Sequence, residues 1–148
     1  MDKARIVFCE PYGRWSAWVR GYADLRIHEV RSMNECWEHL SEAPASFVVV
    51  ELTACPIKSM IEFLVQVRER SPLARVVAVG SRAERQFEWL LREAGAVAAY
   101  FDPQSAEWLA RQAVRHFDGL SVGNESVTQQ IFDRLPWADF ADAKVRPA

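Results

Sequence analysis

The sequence predicts an α/β domain built on a five-stranded parallel sheet of order 2-1-3-4-5, with helices on both faces. Two observations predict it. Five short runs rich in β-branched residues alternate with longer segments of helical period, the pattern of repeated βαβ units. Two of those runs, Phe47-Val48-Val49-Val50 and Val76-Val77-Ala78-Val79, are continuously apolar, as strands covered on both faces must be. Right-handed crossovers between parallel strands then give this doubly wound order.

The first strand is predicted over Arg5–Cys9. Behind it Trp15, Trp18, Val19 and Tyr22 fall at i, i+3, i+4 and i+7, one face of a helix. The second strand, Leu25–Val30, leads to a helix with Met33, Cys36, Trp37 and Leu40 inward, opened by Ser32 and Glu35 as a capping box. The third strand is Ser46–Leu52. Its helix follows Pro56, turns Ile57, Met60, Ile61 and Leu64 inward, and stops near Ser71-Pro72. After the fourth strand, Arg75–Gly80, a second capping box of Ser81 and Glu84 opens a helix burying Phe87, Leu90, Leu91 and Ala94 and ending at Gly95. The fifth strand, Val97–Phe101, precedes a helix running from Pro103 to Phe117. Asp102 is its N-cap, Pro103 its first residue and Gly119 its terminator.

Residues 1–119 thus form one domain, and residues 120–148 read as an extension of another kind. There Ser126-Val127-Thr128-Gln129 opens a short helix whose Val127, Ile131 and Phe132 are followed by Leu135-Pro136-Trp137 and Phe140. Ile131, Phe132, Leu135 and Trp137 are apolar anchors in a polar segment. They predict docking, either back onto the domain or into a partner's groove.

Composition excludes several classes. The 18 basic and 20 acidic residues are interspersed and leave a net charge of -2, so neither nucleic acid nor a membrane surface is expected as partner. No run approaches the ~18 apolar residues of a membrane span, and the amino terminus lacks the apolar core of a signal peptide. Cys9, Cys36 and Cys55 form no C-x-x-C pair and are odd in number, which suits a reducing cytoplasm. His28, His39 and His116 share no helical face and stand at no zinc spacing. There is no glycine-rich phosphate loop, no G-x-S-x-G elbow and no triad. No catalytic residue, metal or cofactor is expected.

Gly95-Ala96-Val97-Ala98-Ala99-Tyr100-Phe101-Asp102-Pro103 resembles the G-A-x-x-x-Φ-x-K-P segment of the receiver domain of bacterial two-component response regulators, with aspartate replacing the lysine. Arg5-Ile6-Val7-Phe8-Cys9-Glu10 is similar to that family's acidic first strand, and Phe47–Leu52 with Pro56 is similar to its phosphoacceptor strand. The resemblance covers roughly Lys3–Gly119 and implies a flavodoxin-like fold. It also implies where a phosphorylation site would lie. Glu10 and Pro11 occupy the metal-binding acidic pair, Glu51 the phosphoacceptor, Gly80 the hydroxyl residue and Asp102 the lysine.

These substitutions act in one direction. Glutamate at 51 displaces the carboxylate by a methylene, and about 1 Å of misplacement can cost ~100-fold in rate. Proline at 11 offers magnesium no oxygen side chain, and aspartate at 102 reverses the sign of charge needed by phosphoryl oxygens. Glu10, Glu51 and Asp102 gathered at one sheet end would repel by ~4 kcal/mol per pair at 4 Å and an effective dielectric of 20. Asp102 as a helix cap, with Arg14 or Arg82 neutralising the others, relieves this.

Two aromatic residues exceed the needs of a core. Trp89 lies about 200° around the fourth helix from Phe87, opposite its inward face, and Trp108 flanks the apolar stripe of the fifth. The expectation is a non-enzymatic, phosphorylation-independent module acting through these helices and its tail, on another protein or on itself. Its rivals are a phosphoryl-accepting regulator with a shifted site, where Ser81 would stand in for the hydroxyl residue missing at Gly80, and a small-ligand or nucleotide binder at the carboxyl ends of the strands. For a phosphate, Pro11-Tyr12-Gly13-Arg14 offers one glycine and one arginine.

Overall fold

The computed structural model describes residues 4–122. It contains five parallel strands, β1 (Ile6–Cys9), β2 (Ile27–Val30), β3 (Phe47–Glu51), β4 (Arg75–Val79) and β5 (Ala98–Tyr100), in the order β2-β1-β3-β4-β5. The predicted order is the observed one. Central position dictates composition: every residue of β1 and β3 is buried, whereas in the edge strand β2 only Val30 is. The whole sheet lies in one compact unit that ends at Ala113.

The helices are α1 (Arg14–Arg20), α2 (Met33–Glu42), α3 (Ile57–Arg70), α4 (Glu88–Ala94) and α5 (Ala106–Val122). One core layer joins Val7, Cys9, Val48, Val50, Val76 and Ala78 to Cys36 and Leu40 of α2, to Met60, Phe63, Leu64 and Val67 of α3, and to Leu91 of α4. The two-residue period of a strand assigns the alternate residues Phe8, Val49, Val77 and Val79, also buried, to the other face. Trp15 and Val19 of α1 and Ala106, Leu109 and Ala113 of α5 are buried as well.

Three helical expectations need correction. Tyr22 is exposed, because α1 stops at Arg20 and Gly21 caps it. Leu90 is exposed rather than inward. Residues Arg82–Phe87 wind as a 3-10 helix, and that tighter turn, about 120° per residue, changes the phase at which α4 meets the sheet. Gly119 does not end the fifth helix, which continues to Val122; a methyl group there would meet nothing within 4 Å. Gly95 does end α4, with φ of 129° in the region that favours glycine. The apolar anchors Ile131, Phe132, Leu135 and Trp137 fall outside the described residues.

Strand register positions the site. Cys9 is level with Val50, Glu51 with Val79, and Val79 with Tyr100. Glu10 and Glu51 therefore emerge at one level of the sheet, with Gly80 one residue past that level after β4 and Asp102 two past it after β5.

Candidate functional site

The carboxyl ends of β1, β3, β4 and β5 carry the site. Gly13 precedes α1 with φ of 67°, a left-handed conformation that suits glycine but provides no side chain to cap the helix. Glu10 does this instead. Its Oε1 accepts the Trp15 amide at 2.7 Å and its Oε2 the Ser16 amide at 2.9 Å, with the residue only 3% exposed. Burial holds the Glu10 carboxyl above the usual glutamate range; the two amides pull the other way, and the charge of Glu51 adds to the rise. Beside it the Pro11 carbonyl accepts a hydrogen bond from Arg31.

Glu51 closes β3 and is likewise 3% exposed. Arg14 Nη2 donates to its Oε1 at 3.1 Å, while Oε2 is buried without a hydrogen-bond partner among the described residues. Arg14 also stands over the Tyr12 ring, 5.7 Å from its centroid. Asp102 accepts from the Gln104 amide at 3.0 Å through Oδ1 and from Arg82 Nη2 at 3.0 Å through Oδ2. The Gln104 bond first, and then Arg82, holds this carboxyl below the usual aspartate range. Of the two arginines expected to neutralise Glu10 and Glu51, Arg14 pairs with Glu51, whereas Arg82 pairs with Asp102.

Gly80 is hemmed in by the turn that follows it. Glu84 Oε1 accepts the Ser81 amide at 2.8 Å and the Ser81 hydroxyl at 3.2 Å. A Cβ on Gly80 would lie 2.8 Å from that oxygen and 3.3 Å from Leu52 Cδ1. A hydroxyl-bearing residue at 80 therefore requires the cap to open, and the Ser81 hydroxyl is already engaged in it.

Gly80, Ser81 and Glu84 border a cavity of about 220 Å³ whose other walls include Arg14, Trp15, Trp18, Glu51, Arg82 and Phe101. The tryptophans were read from the sequence only as core, although Trp15 and Trp18 stack edge to face with centroids 5.1 Å apart. Their signal was an i, i+3 aromatic pair directly behind an acidic strand end.

The other candidates lie apart from this cavity. Trp89 is 72% and Trp108 57% exposed, the latter beneath the Arg111 guanidinium at 5.0 Å. Cys9 and Cys36 are buried, and a hydrogen bond to Cys9, with burial, pushes the Cys36 thiol far up. Burial raises Cys55 to about 11. His28 and His39 stack with centroids 5.0 Å apart, and Arg5 reaches His39 Nδ1 at 2.9 Å. Among the described residues no three His, Cys, Asp or Glu side chains are placed to hold a metal ion, and no helix is long and apolar enough to cross a membrane.

No protein-family model matches the chain, and no curated protein matches it significantly. Solved structures do. A response regulator from Thermotoga maritima superposes with a TM-score of 0.63 at 15% identity, over 80% of this chain and 99% of that one. A CheY-like protein, tadZ, from Pseudomonas aeruginosa PAO1 gives 0.58 at 16% identity, over 75% and 93%. A redox sensor of the streptococci, from a family evolved from two-component response regulators, gives 0.57 at 14% identity, over 99% and 57%. At such identities the likeness is one of fold.

Proposed function

From a receiver-like fold whose acidic end is occupied by its own side chains, we infer a signalling or scaffold module that works by protein-protein contact and takes up no phosphoryl group. The observation that carries this reading is the engagement of Glu10. Both of its oxygens accept amides of α1, so the one acid left from the metal-binding pair already has a structural task. Magnesium would have to compete with those amides and would find no oxygen side chain at Pro11. At Glu51 a phosphoryl group would displace Arg14, and Asp102 would repel it. Ser81, the substitute for the hydroxyl missing at Gly80, already donates its own to Glu84.

Contact with a partner is supported by Trp89 and Trp108, whose exposure in α4 and α5 exceeds what a core explains. The streptococcal redox sensors, described as evolved from response regulators, are a case of this scaffold in another role. The test is incubation of the full chain with acetyl phosphate and magnesium, read by intact mass. The expected result is no adduct. A stoichiometric phosphoryl adduct at Glu51 would establish the phosphoryl-accepting reading instead.

A further inference from the structure

The cavity beside Glu51 joins a buried carboxylate to the aromatic rings of Trp15, Trp18 and Phe101. We propose that it binds a small organic cation, an amidine or protonated amine carried on a flat ring, with Glu51 as its anionic anchor. This goes beyond the interaction function and does not depend on it.

Four properties of the cavity converge on that chemistry. The first is the anchor. Glu51 is 3% exposed, and an ionised carboxylate is an acceptor only, so each oxygen calls for a donor. Arg14 supplies Oε1; Oε2 has none among the described residues. An amidinium presents two parallel N–H groups that fit the two oxygens together. Oε2 is shielded from solvent, so such a ligand takes both oxygens by moving the Arg14 guanidinium aside. Arg14 is an exposed side chain with the Tyr12 ring at hand to receive it.

The second is charge. Glu10 is near enough to Glu51 for the two charges to be felt, and Glu84 adds a second carboxylate to the wall. Arg82 is already paired with Asp102 at 3.0 Å, and Arg14 with Glu51 at 3.1 Å. An incoming anion would meet a buried carboxylate with both guanidinium groups engaged. A cation replaces the Arg14 guanidinium there like for like.

The third and fourth are shape and lining. The volume of about 220 Å³ exceeds the ~150 Å³ of an engineered cavity known to hold benzene, leaving room for a ring and a short polar substituent. Trp15, Trp18 and Phe101 offer π-faces and edges to a ring and to a cation, which such surfaces attract.

The test uses the full-length chain labelled with nitrogen-15 and benzamidine as the probe. The expected result is saturable shifts confined to residues 14–18, 51–53, 80–82 and 101–103, including the indole signals of Trp15 and Trp18. Benzoate, with the opposite charge on the same ring, produces none. Glu51→Gln weakens benzamidine binding about tenfold or more, since a charge-assisted hydrogen bond is lost. Trp18→Ala weakens it by a smaller factor. Absence of shifts at about 10 mM benzamidine, well past ordinary millimolar affinity, overturns the proposal. Equal binding of benzoate, or shifts that map elsewhere, overturns it too, as does magnesium reproducing the same shift pattern. Should Glu51→Gln fail to fold by circular dichroism, the wild-type map, the benzoate control and Trp18→Ala decide the question.

Discussion

Glu10 and Trp15 are joined across the loop between β1 and α1 by a 2.7 Å hydrogen bond from the Trp15 amide to Glu10 Oε1, so the strand caps the helix that follows it. Glu10→Ala would strip acceptors from this amide and from that of Ser16, both buried. A buried donor left unpaired costs about 1–3 kcal/mol, so the loss should be ~2–4 kcal/mol in urea unfolding. Glu10→Gln, which keeps one acceptor, should lose less. A change in Glu10→Ala below about 0.5 kcal/mol would mean that this cap contributes nothing to stability.

The same carboxyl should imprint a pH dependence. Its folded-state pKa is raised, chiefly by burial, so the folded protein holds this proton more tightly than the unfolded chain. The resulting contribution is complete below the ordinary glutamate pKa and is lost as pH rises through the elevated one. Subtracting the stability profile of Glu10→Gln from that of the wild type, between about pH 4 and pH 7, should give a difference that declines with rising pH. A difference that increases with pH would refute the assignment.

Gly80→Ser would restore the hydroxyl that the receiver resemblance places there. Its Cβ would push aside the Glu84 carboxylate, so the substitution should cost about what that cap contributes, ~1 kcal/mol, rather than create a phosphorylation site. Combining it with Glu84→Ala should then cost little more. A double-mutant cycle from thermal unfolding measures the coupling, and strict additivity would show that Glu84 is not the obstacle.

Trp89→Ala should leave the isolated fold within about 0.5 kcal/mol of wild type, because the side chain is largely in solvent. If α4 is the binding face, self-association or partner binding should fall about tenfold or more, the scale of an aromatic anchor. Light scattering and calorimetry on the same two proteins separate these effects. Unchanged association would remove α4 from the interface.

Cys55 should be the first thiol to react with a disulfide reagent, since Cys9 and Cys36 are buried. With its pKa raised to about 11, its labelling rate near neutral pH should be slow and climb about tenfold per pH unit as thiolate forms. Mass spectrometry of the singly labelled protein identifies the site. Preferential labelling of Cys36 under native conditions would contradict the burial.

The sheet was readable because Phe47–Val50 and Val76–Val79 suit buried central strands, and the order of the others is that of the common doubly wound arrangement. Helix phase was less so: counting from Phe87 at 100° per residue put Leu90 inward, but the preceding residues are wound more tightly. At the site, the gathering of Glu10, Glu51 and Asp102 was visible from their places at strand ends. The hydrogen bonds that occupy Glu10 were not. They depend on the left-handed turn at Gly13, which sets where the Trp15 and Ser16 amides point, and a lone glycine in sequence does not announce that conformation.

The flanks of the sheet constrain how any complex can grow. β5 has three residues, and β2 has four with His28 and Glu29 among them. Short or charged margins make poor templates for an added strand. Assembly by extending the sheet from molecule to molecule is therefore discouraged on both sides. Polymerisation into continuous β-structure would first require one of these borders to lengthen, so the native chain should resist fibril growth for as long as it stays folded.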